Sequence, residues 1–420
     1  MKKKANFLNY SLVLGAALGF FSVNARADSP APRPQLQASI LNKNPTGNLP
    51  AGYNPFQIRH AYGFDLIANQ GAGQKIAVID AFGAPSIAAS VNAFSKFFGL
   101  PNVPLQVSAP AKFNKSGETT ASLQTWAWET ALDVEWAHSA APQATIILSV
   151  AASGSYADLM NAVERAIKLG ATTVSMSWGG AEDAAGPAFF QQYDAIFAKY
   201  PNITFVAASG DGGAASGCSS VDAGNPDCHK VQWPSSSPYV ISVGGTSLEL
   251  DANGNRTGAE IAWIGSGGGV SLFEPQTAGQ ASLHLPGTLR AVPDVSYNAD
   301  PNTGYYVYAT IPGVAKAQWA VFGGTSVGAP QWASLFTIAR STRAHENPKL
   351  GALDFATAIY SLSTSSTGLA EFFQPVNSGC NTNLSIIGTC ATPGFDDVTG
   401  LGTPRADQLL NVAIPGSLVE

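Results

Sequence analysis

Ser326 stands in the run Gly323-Gly324-Thr325-Ser326-Val327-Gly328-Ala329-Pro330, after an apolar stretch at 319–322 and before a helical pattern over 330–339. A serine at a strand-to-helix turn exposes its Oγ beside backbone N–H groups that can face developing negative charge. That suits a nucleophile. A glycine turn with a capping serine has the same local sequence, so the rest of the chain must choose between the two.

A nucleophilic serine needs a base. Trp128-Glu129-Thr130-Ala131-Leu132-Asp133-Val134-Glu135-Trp136-Ala137-His138 reads as helix, and places Glu129 and Asp133 four residues apart on one face. Like charges at that spacing repel on an exposed helix; on a buried one, a carboxyl must hold a proton and the pair titrates as a unit. A solvated acidic face is the bland alternative, but Trp126, Trp128, Leu132 and Trp136 leave little of this helix for water. Asp211, in Ser209-Gly210-Asp211-Gly212-Gly213, follows an apolar strand and is a turn residue or an oxyanion partner. Asp80 ends another apolar strand, and a structural role is expected for it.

Three schemes compete. Gly324-Thr-Ser326-Val-Gly328 fits the Gly-x-Ser-x-Gly elbow of esterases, which requires an acid and then a histidine downstream. His345 is the only histidine after Ser326 and no Asp or Glu lies between them, so that order fails. A subtilisin-type triad of Asp80, His138 and Ser326 has the right order, but His138 is nine residues from Glu129 and on the opposite helical face. The third scheme uses the Glu129/Asp133 pair as base.

The elements that must position these groups alternate. Strands are expected at 75–80, 145–150, 172–177, 203–208 and 239–244, and helices at 86–98, 125–140, 156–169 and 188–199. Such alternation predicts a doubly wound α/β domain with a mainly parallel sheet, its ligand crevice beyond the carboxyl ends of the strands. Residues 250–320 read as glycine-rich and irregular, with hairpin-like segments. No repeat or low-complexity tract appears.

The 420 residues divide into a signal peptide over 1–27, a Pro- and Asn-rich flexible arm over 28–50 and a catalytic domain over 51–415. Lys2-Lys3-Lys4, an apolar run and Ala25-Arg26-Ala27 carry the first assignment, and predict a secreted or periplasmic protein. Apolar residues make up 45% and charged ones 12%, which allows a large core. A net charge of −6, with no basic run beyond the N-terminus, argues against nucleic acid. No later segment is long and apolar enough to hold a membrane after signal removal. Export permits disulfides, and proximity pairs Cys218 with Cys228 and Cys380 with Cys390.

Trp128-Glu129-x-x-Leu132-Asp133-Val134-Glu135-Trp136-Ala137-His138, Ser175-Met-Ser177-Trp178-Gly179, Ser209-Gly210-Asp211, Trp233-Pro234-Ser-Ser-Ser-Pro238, Gly244-Gly245-Thr246 and Gly324-Thr325-Ser326-x-x-x-Pro330 together resemble the sedolisins, the serine-carboxyl peptidases. The resemblance runs from Tyr53 to Pro404 and implies a subtilisin-like single catalytic domain that cleaves polypeptides in acid. It implies Ser326 as nucleophile, Glu129 as base, Asp133 orienting Glu129, and Asp211 as oxyanion donor. It implies substrate contacts from Ser177, Trp178 and Gly179, with Ser266, Gly267 and Gly268 facing them. The chemistry itself takes no cofactor. The family's structural Ca²⁺ site would fall on Gln374, Gly394 and Asp396, with Gln374 where an acidic ligand is usual, so binding is expected to be weak or absent. The usual large prodomain is not seen before Tyr53. A monomer is expected, and the alternative from another class is a catalytically silent peptide- or surface-binding relative.

Overall fold

The computed structural model describes residues 31–38, 51–182, 186–216, 231–346, 354–363, 368–382 and 388–412. The signal peptide and the Cys218/Cys228 pair lie outside the described residues. Six strands run parallel in the spatial order Leu105–Ser108, Thr145–Ala151, Lys75–Ala81, Thr173–Met176, Thr204–Ala208 and Val240–Ser247. Val240–Ser247 also pairs in parallel with Val295–Asn298 and antiparallel with Ile261–Ala262. The strands are continuous apolar runs because both faces are covered.

Strand parity sorts the core into two layers. From Lys75–Ala81, Ile76 and Val78 join one cluster and Ala77, Ile79 and Ala81 the other. The first cluster takes in the helices Ile87–Phe98, Thr120–Ala140 and Gly328–Glu346, and the second takes in Tyr156–Lys168 and Pro187–Ala198. This is the doubly wound α/β arrangement. Residues 250–320 supply two hairpins, Gly269–Pro275 with Leu289–Val292 and Tyr305–Ala309 with Gln318–Gly323. Cys380 and Cys390 form a disulfide.

Part of the arm departs from expectation. Arg33–Pro34 pairs antiparallel with Trp178–Ala181, and Gln37–Ala38 pairs antiparallel with Gln318–Gly323. The prolines explain why a composition that reads as flexible can dock here. Proline is already extended, and lacks only an N–H. Pro34 sits between Arg33 and Gln35, the positions that face the partner strand, so its missing N–H costs no ladder bond.

Candidate active site

The helix Thr120–Ala140 begins at Thr119, whose side chain accepts the Ser122 N–H, and from Glu129 to Ala140 every residue is buried. Glu129 and Asp133 point from it toward the carboxyl ends of the sheet strands. Asp80 shares the parity of Ile76 and Val78, so it meets this helix as a third buried carboxyl. Sequence reasoning gave Asp80 only a structural part. Its position at the end of a central strand, on the helix's side, was the signal available.

Burial pushes all three carboxyl pKa values upward, and neighbouring carboxylates add to this at Glu129 and Asp133. Glu129 is raised well above the ordinary range, first by burial and then by Asp133 and Asp80. Asp133 is raised by burial and by Asp80, with the Ser177 hydroxyl offsetting part of it. Burial raises Asp80. Thr130 borders Asp80 and tempers that shift, but it donates its proton to the Trp126 carbonyl at 2.8 Å and leaves both Asp80 oxygens without a donor. Such a cluster holds fewer charges than it has carboxyls, and a proton can move among its members.

Ser326 lies on a short turn, Thr325–Val327, that leads into the helix Gly328–Glu346. Gly324 before it has φ 109°, a conformation that favours glycine, and a Cβ there would lie 2.4 Å from Asp211 Oδ2. The Ser326 hydroxyl donates to the Ser177 carbonyl at 3.3 Å, while the Ser177 hydroxyl donates to Asp133 Oδ1 at 2.9 Å. Ser326 is also near enough to Glu129 to hold its pKa down somewhat, although both Glu129 oxygens lack a hydrogen bond in this rotamer. A turn about the Ser326 χ1 would redirect its hydroxyl hydrogen bond from the Ser177 carbonyl to Glu129.

Asp211 closes the other side. Its Oδ1 accepts the Thr325 N–H at 2.7 Å and the Thr325 hydroxyl at 2.9 Å, whereas Oδ2 is buried without a partner. Burial raises its pKa to about 6, against the two Thr325 hydrogen bonds. Below that pH Oδ2 carries a proton and can donate it.

The arm crosses this site. The Gln35 N–H donates to the Ser177 carbonyl at 3.0 Å, and the Gln35 carbonyl accepts the Ser326 N–H at 3.1 Å. The same Gly324 slot that faces Asp211 Oδ2 also faces the Gln35 carbonyl oxygen, again at 2.4 Å from the Cβ position. Ser177 and Gly179 thus meet an extended backbone. The Trp178 indole instead donates to the Ile79 carbonyl at 2.9 Å and packs near Trp233 in the core. Ser266 bonds the Val398 carbonyl and the Gly245 N–H, and a Cβ on Gly267 or Gly268 would collide with the Ser209 or Asp397 carbonyl. These three residues brace the Asp211 loop, with the Gly267 N–H donating to the Gly210 carbonyl at 2.8 Å. His138 Nε2 donates to the Pro101 carbonyl, 2.8 Å away, and burial lowers its pKa.

The residues matching the family's calcium site do not suit a cation. Asp396 Oδ1 accepts the N–H groups of Val398 and Thr399, and Oδ2 accepts that of Thr392, with the Thr399 hydroxyl near both. N–H dipoles already surround that carboxylate. Gln374 is neutral, and its backbone pairs with Thr403. Asp397 nearby is raised to about 6 by burial and by Asp396.

A profile described as "Subtilase family" matches residues 118–366. Kumamolisin of Bacillus sp. (strain MN-32) is 32% identical over 393 residues, which cover 88% of this chain and 65% of kumamolisin. Tripeptidyl-peptidase 1 of Canis lupus familiaris is 32% identical over 259 residues, 57% of this chain and 43% of that protein. The chain therefore spans less than two thirds of the length of these curated relatives. Among solved structures, Pseudomonas sedolisin, a serine-carboxyl proteinase complexed with two molecules of pseudo-iodotyrostatin, superposes with a TM-score of 0.70 at 26% identity, covering 87% of this chain and 98% of that one. The chain belongs to the subtilase family and, within it, to the sedolisins.

Proposed function

We propose that the chain is an exported serine-carboxyl endopeptidase that hydrolyses peptide bonds in acid. The observation that carries this reading is the seat given to an extended backbone: the Gln35 N–H on the Ser177 carbonyl and the Gln35 carbonyl on the Ser326 N–H. A site that grips main-chain N–H and C=O groups in strand geometry recognises polypeptide irrespective of side chain. Ser326 Oγ attacks the carbonyl so held, and Glu129 takes its proton. Asp133 and Asp80 govern where the remaining proton of the carboxyl cluster resides, and so how basic Glu129 is. Protonated Asp211 donates to the oxyanion alongside the Ser326 N–H. The base must be ionised while the oxyanion donor is neutral, so only an acidic window satisfies both.

Export accords with the basic and apolar leader in the sequence and with the Cys380–Cys390 link, which suits an oxidising compartment. No helix among the described residues is long and apolar enough to cross a membrane. The test is cleavage of a denatured protein by the purified chain between pH 3 and 8, with Ser326→Ala as control. Acid-limited cleavage that disappears in the variant supports the proposal. Cleavage that peaks near pH 8, or survives in folded Ser326→Ala, overturns it.

A further inference from the structure

We propose that Asp194 and Glu274 are positioning residues for the cleft: sharing one proton, they fasten the hairpin strand Gly269–Pro275 to the helix Pro187–Ala198, and through that strand they hold the loop that carries Asp211. The inference rests on the peptidase reading above and adds to it two carboxyls outside the catalytic cluster. Both are buried, and they are hydrogen-bonded carboxyl to carboxyl, which requires one of them to be protonated. Asp194 Oδ1 already accepts the Trp233 indole N–H at 3.0 Å, so Glu274 is the donor of the pair. Phe190, one turn before Asp194 on the same helical face, stacks on Phe273 with ring centroids 6.1 Å apart.

The strand so fastened serves both sides of the cleft. Toward the Asp211 loop, it begins directly after Gly267 and Gly268, and the Gly267 N–H donates to the Gly210 carbonyl at 2.8 Å. Toward the strand Trp178–Ala181, it meets Glu182, the next residue along. The Ser271 hydroxyl lies 3.1 and 3.0 Å from the two Glu182 oxygens, and the Leu272 N–H donates to the same carboxylate. The Ser271 oxygen in turn accepts the Glu274 N–H at 2.8 Å. A hairpin held for stability alone needs the aromatic packing and nothing more. Burying two carboxyls against each other beside a third costs stability as soon as they ionise.

The charged groups facing the pair are Glu182 and Arg290, the latter from the partner strand Leu289–Val292 and already paired with Asp294. Burial first, then Asp194 and Glu182, raise the Glu274 pKa to about 8, and Arg290 offsets part of this. Burial raises Asp194 as well. Carboxyls raised in the folded state keep such a contact at low pH and lose it as pH climbs through their folded values. The fastening is therefore complete in the acid range of the proposed reaction. It fails on the alkaline side, by a route separate from the Asp211 proton.

The experiment pairs hydrogen exchange on the full Ser326→Ala chain, which avoids self-digestion, with turnover of a reporter peptide by the active chain. After correction for intrinsic exchange chemistry, protection of residues 269–275 should fall at least tenfold between pH 6 and pH 9, while that of the core strand 75–81 holds. Adding Glu274→Gln should abolish the fall, because its amide donates to Asp194 at every pH. In the active chain at pH 4, Glu274→Gln should keep kcat within about threefold of wild type. Glu274→Ala should lose at least tenfold in kcat with KM moved less than threefold, because the brace acts on the oxyanion loop. Protection that stays level from pH 6 to 9, that falls equally in strand 75–81, or that falls in the Gln variant as in its parent overturns the inference, and this arm decides alone should Glu274→Ala fail to fold. A folded Glu274→Ala chain with wild-type kcat also overturns it and leaves the peptidase reading standing. A folded wild-type chain that cleaves nothing between pH 3 and 8 removes the peptidase reading and the positioning role with it.

Discussion

Asp211→Asn separates the oxyanion donor from its proton. Burial lifts the Asp211 pKa from 3.8 to about 6 with the arm seated in the cleft. A filled cleft corresponds to the enzyme–substrate complex, so this value belongs to the kcat profile. Two pH units above it, the neutral form is only about one part in 100, and kcat at pH 8 should lie roughly 100-fold below its plateau. In Asp211→Asn the amide oxygen can take the place of Oδ1, accepting the Thr325 N–H and hydroxyl, and this puts the NH₂ where the unpartnered Oδ2 stands. That donor is present at every pH. The variant should therefore keep kcat within about tenfold of wild type in acid and lose the fall near pH 6. Asp211→Ala should lose about 10²–10³ at all pH values, the usual cost of an oxyanion donor. Pre-steady-state turnover of a fluorogenic peptide from pH 3 to 8 reads all three. A folded Asp211→Asn whose kcat still falls near pH 6 would refute the assignment and transfer the alkaline limb to another carboxyl.

Ser326→Ala should lose 10³-fold or more in kcat/KM with an unchanged circular dichroism spectrum; a folded variant within tenfold of wild type rejects the nucleophile. His138→Ala should leave the pH optimum in place, because that ring bonds the Pro101 carbonyl, and a shifted optimum in the folded variant would revive a histidine triad. Native stability should fall as pH rises. Asp80, Glu129, Asp133, Glu135 and Asp211 all have pKa values raised by burial, so their contribution is full below about pH 4, their unfolded range, and is lost as pH climbs through the folded values. Asp211, whose Oδ2 is buried although the residue keeps some exposure, is displaced by about two units and accounts for at most roughly 3 kcal/mol of that loss. A thermal midpoint in the inactive Ser326→Ala chain that rises from pH 4 to 8 contradicts this. Cys380→Ser with Cys390→Ser should cost about 2–3 kcal/mol by loop-closure entropy, while chelation of wild type should leave the midpoint unmoved; a fall of several degrees with EDTA would show that Asp396 holds a metal after all.

What the sequence made legible followed from local physics. The strand Lys75–Ala81 and its parallel neighbours could be read because strands covered on both faces are apolar throughout. The nucleophile helix could be read only in part. The apolar pattern suggests 330–339, but the helix runs Gly328–Glu346. Gln331, Ser334, Thr337 and Ser341 look like a wet face in sequence and are buried. Ser334 and Thr337 satisfy their hydroxyls on the Pro330 and Ala333 carbonyls one turn back, which hides their burial from any hydropathy pattern. The carboxyl pair was visible because four-residue spacing is a local rule, whereas its company was not. Asp80 is 49 residues from Glu129, and only the registry of a central strand under a particular helix brings the two together. The arm is the extreme case. Its order comes from strands near 178 and 322, far along the chain, so nothing between residues 31 and 38 announces it. Both omissions bear on the same chemistry. Without Asp80 the base of the proposed mechanism is a simple pair; with it, Glu129 titrates inside a buried cluster of three that ionisation destabilises. On the proposed mechanism, the acid window expected of the reaction and the acid preference expected of the fold have one cause, the burial of more carboxyls than the site can hold charged.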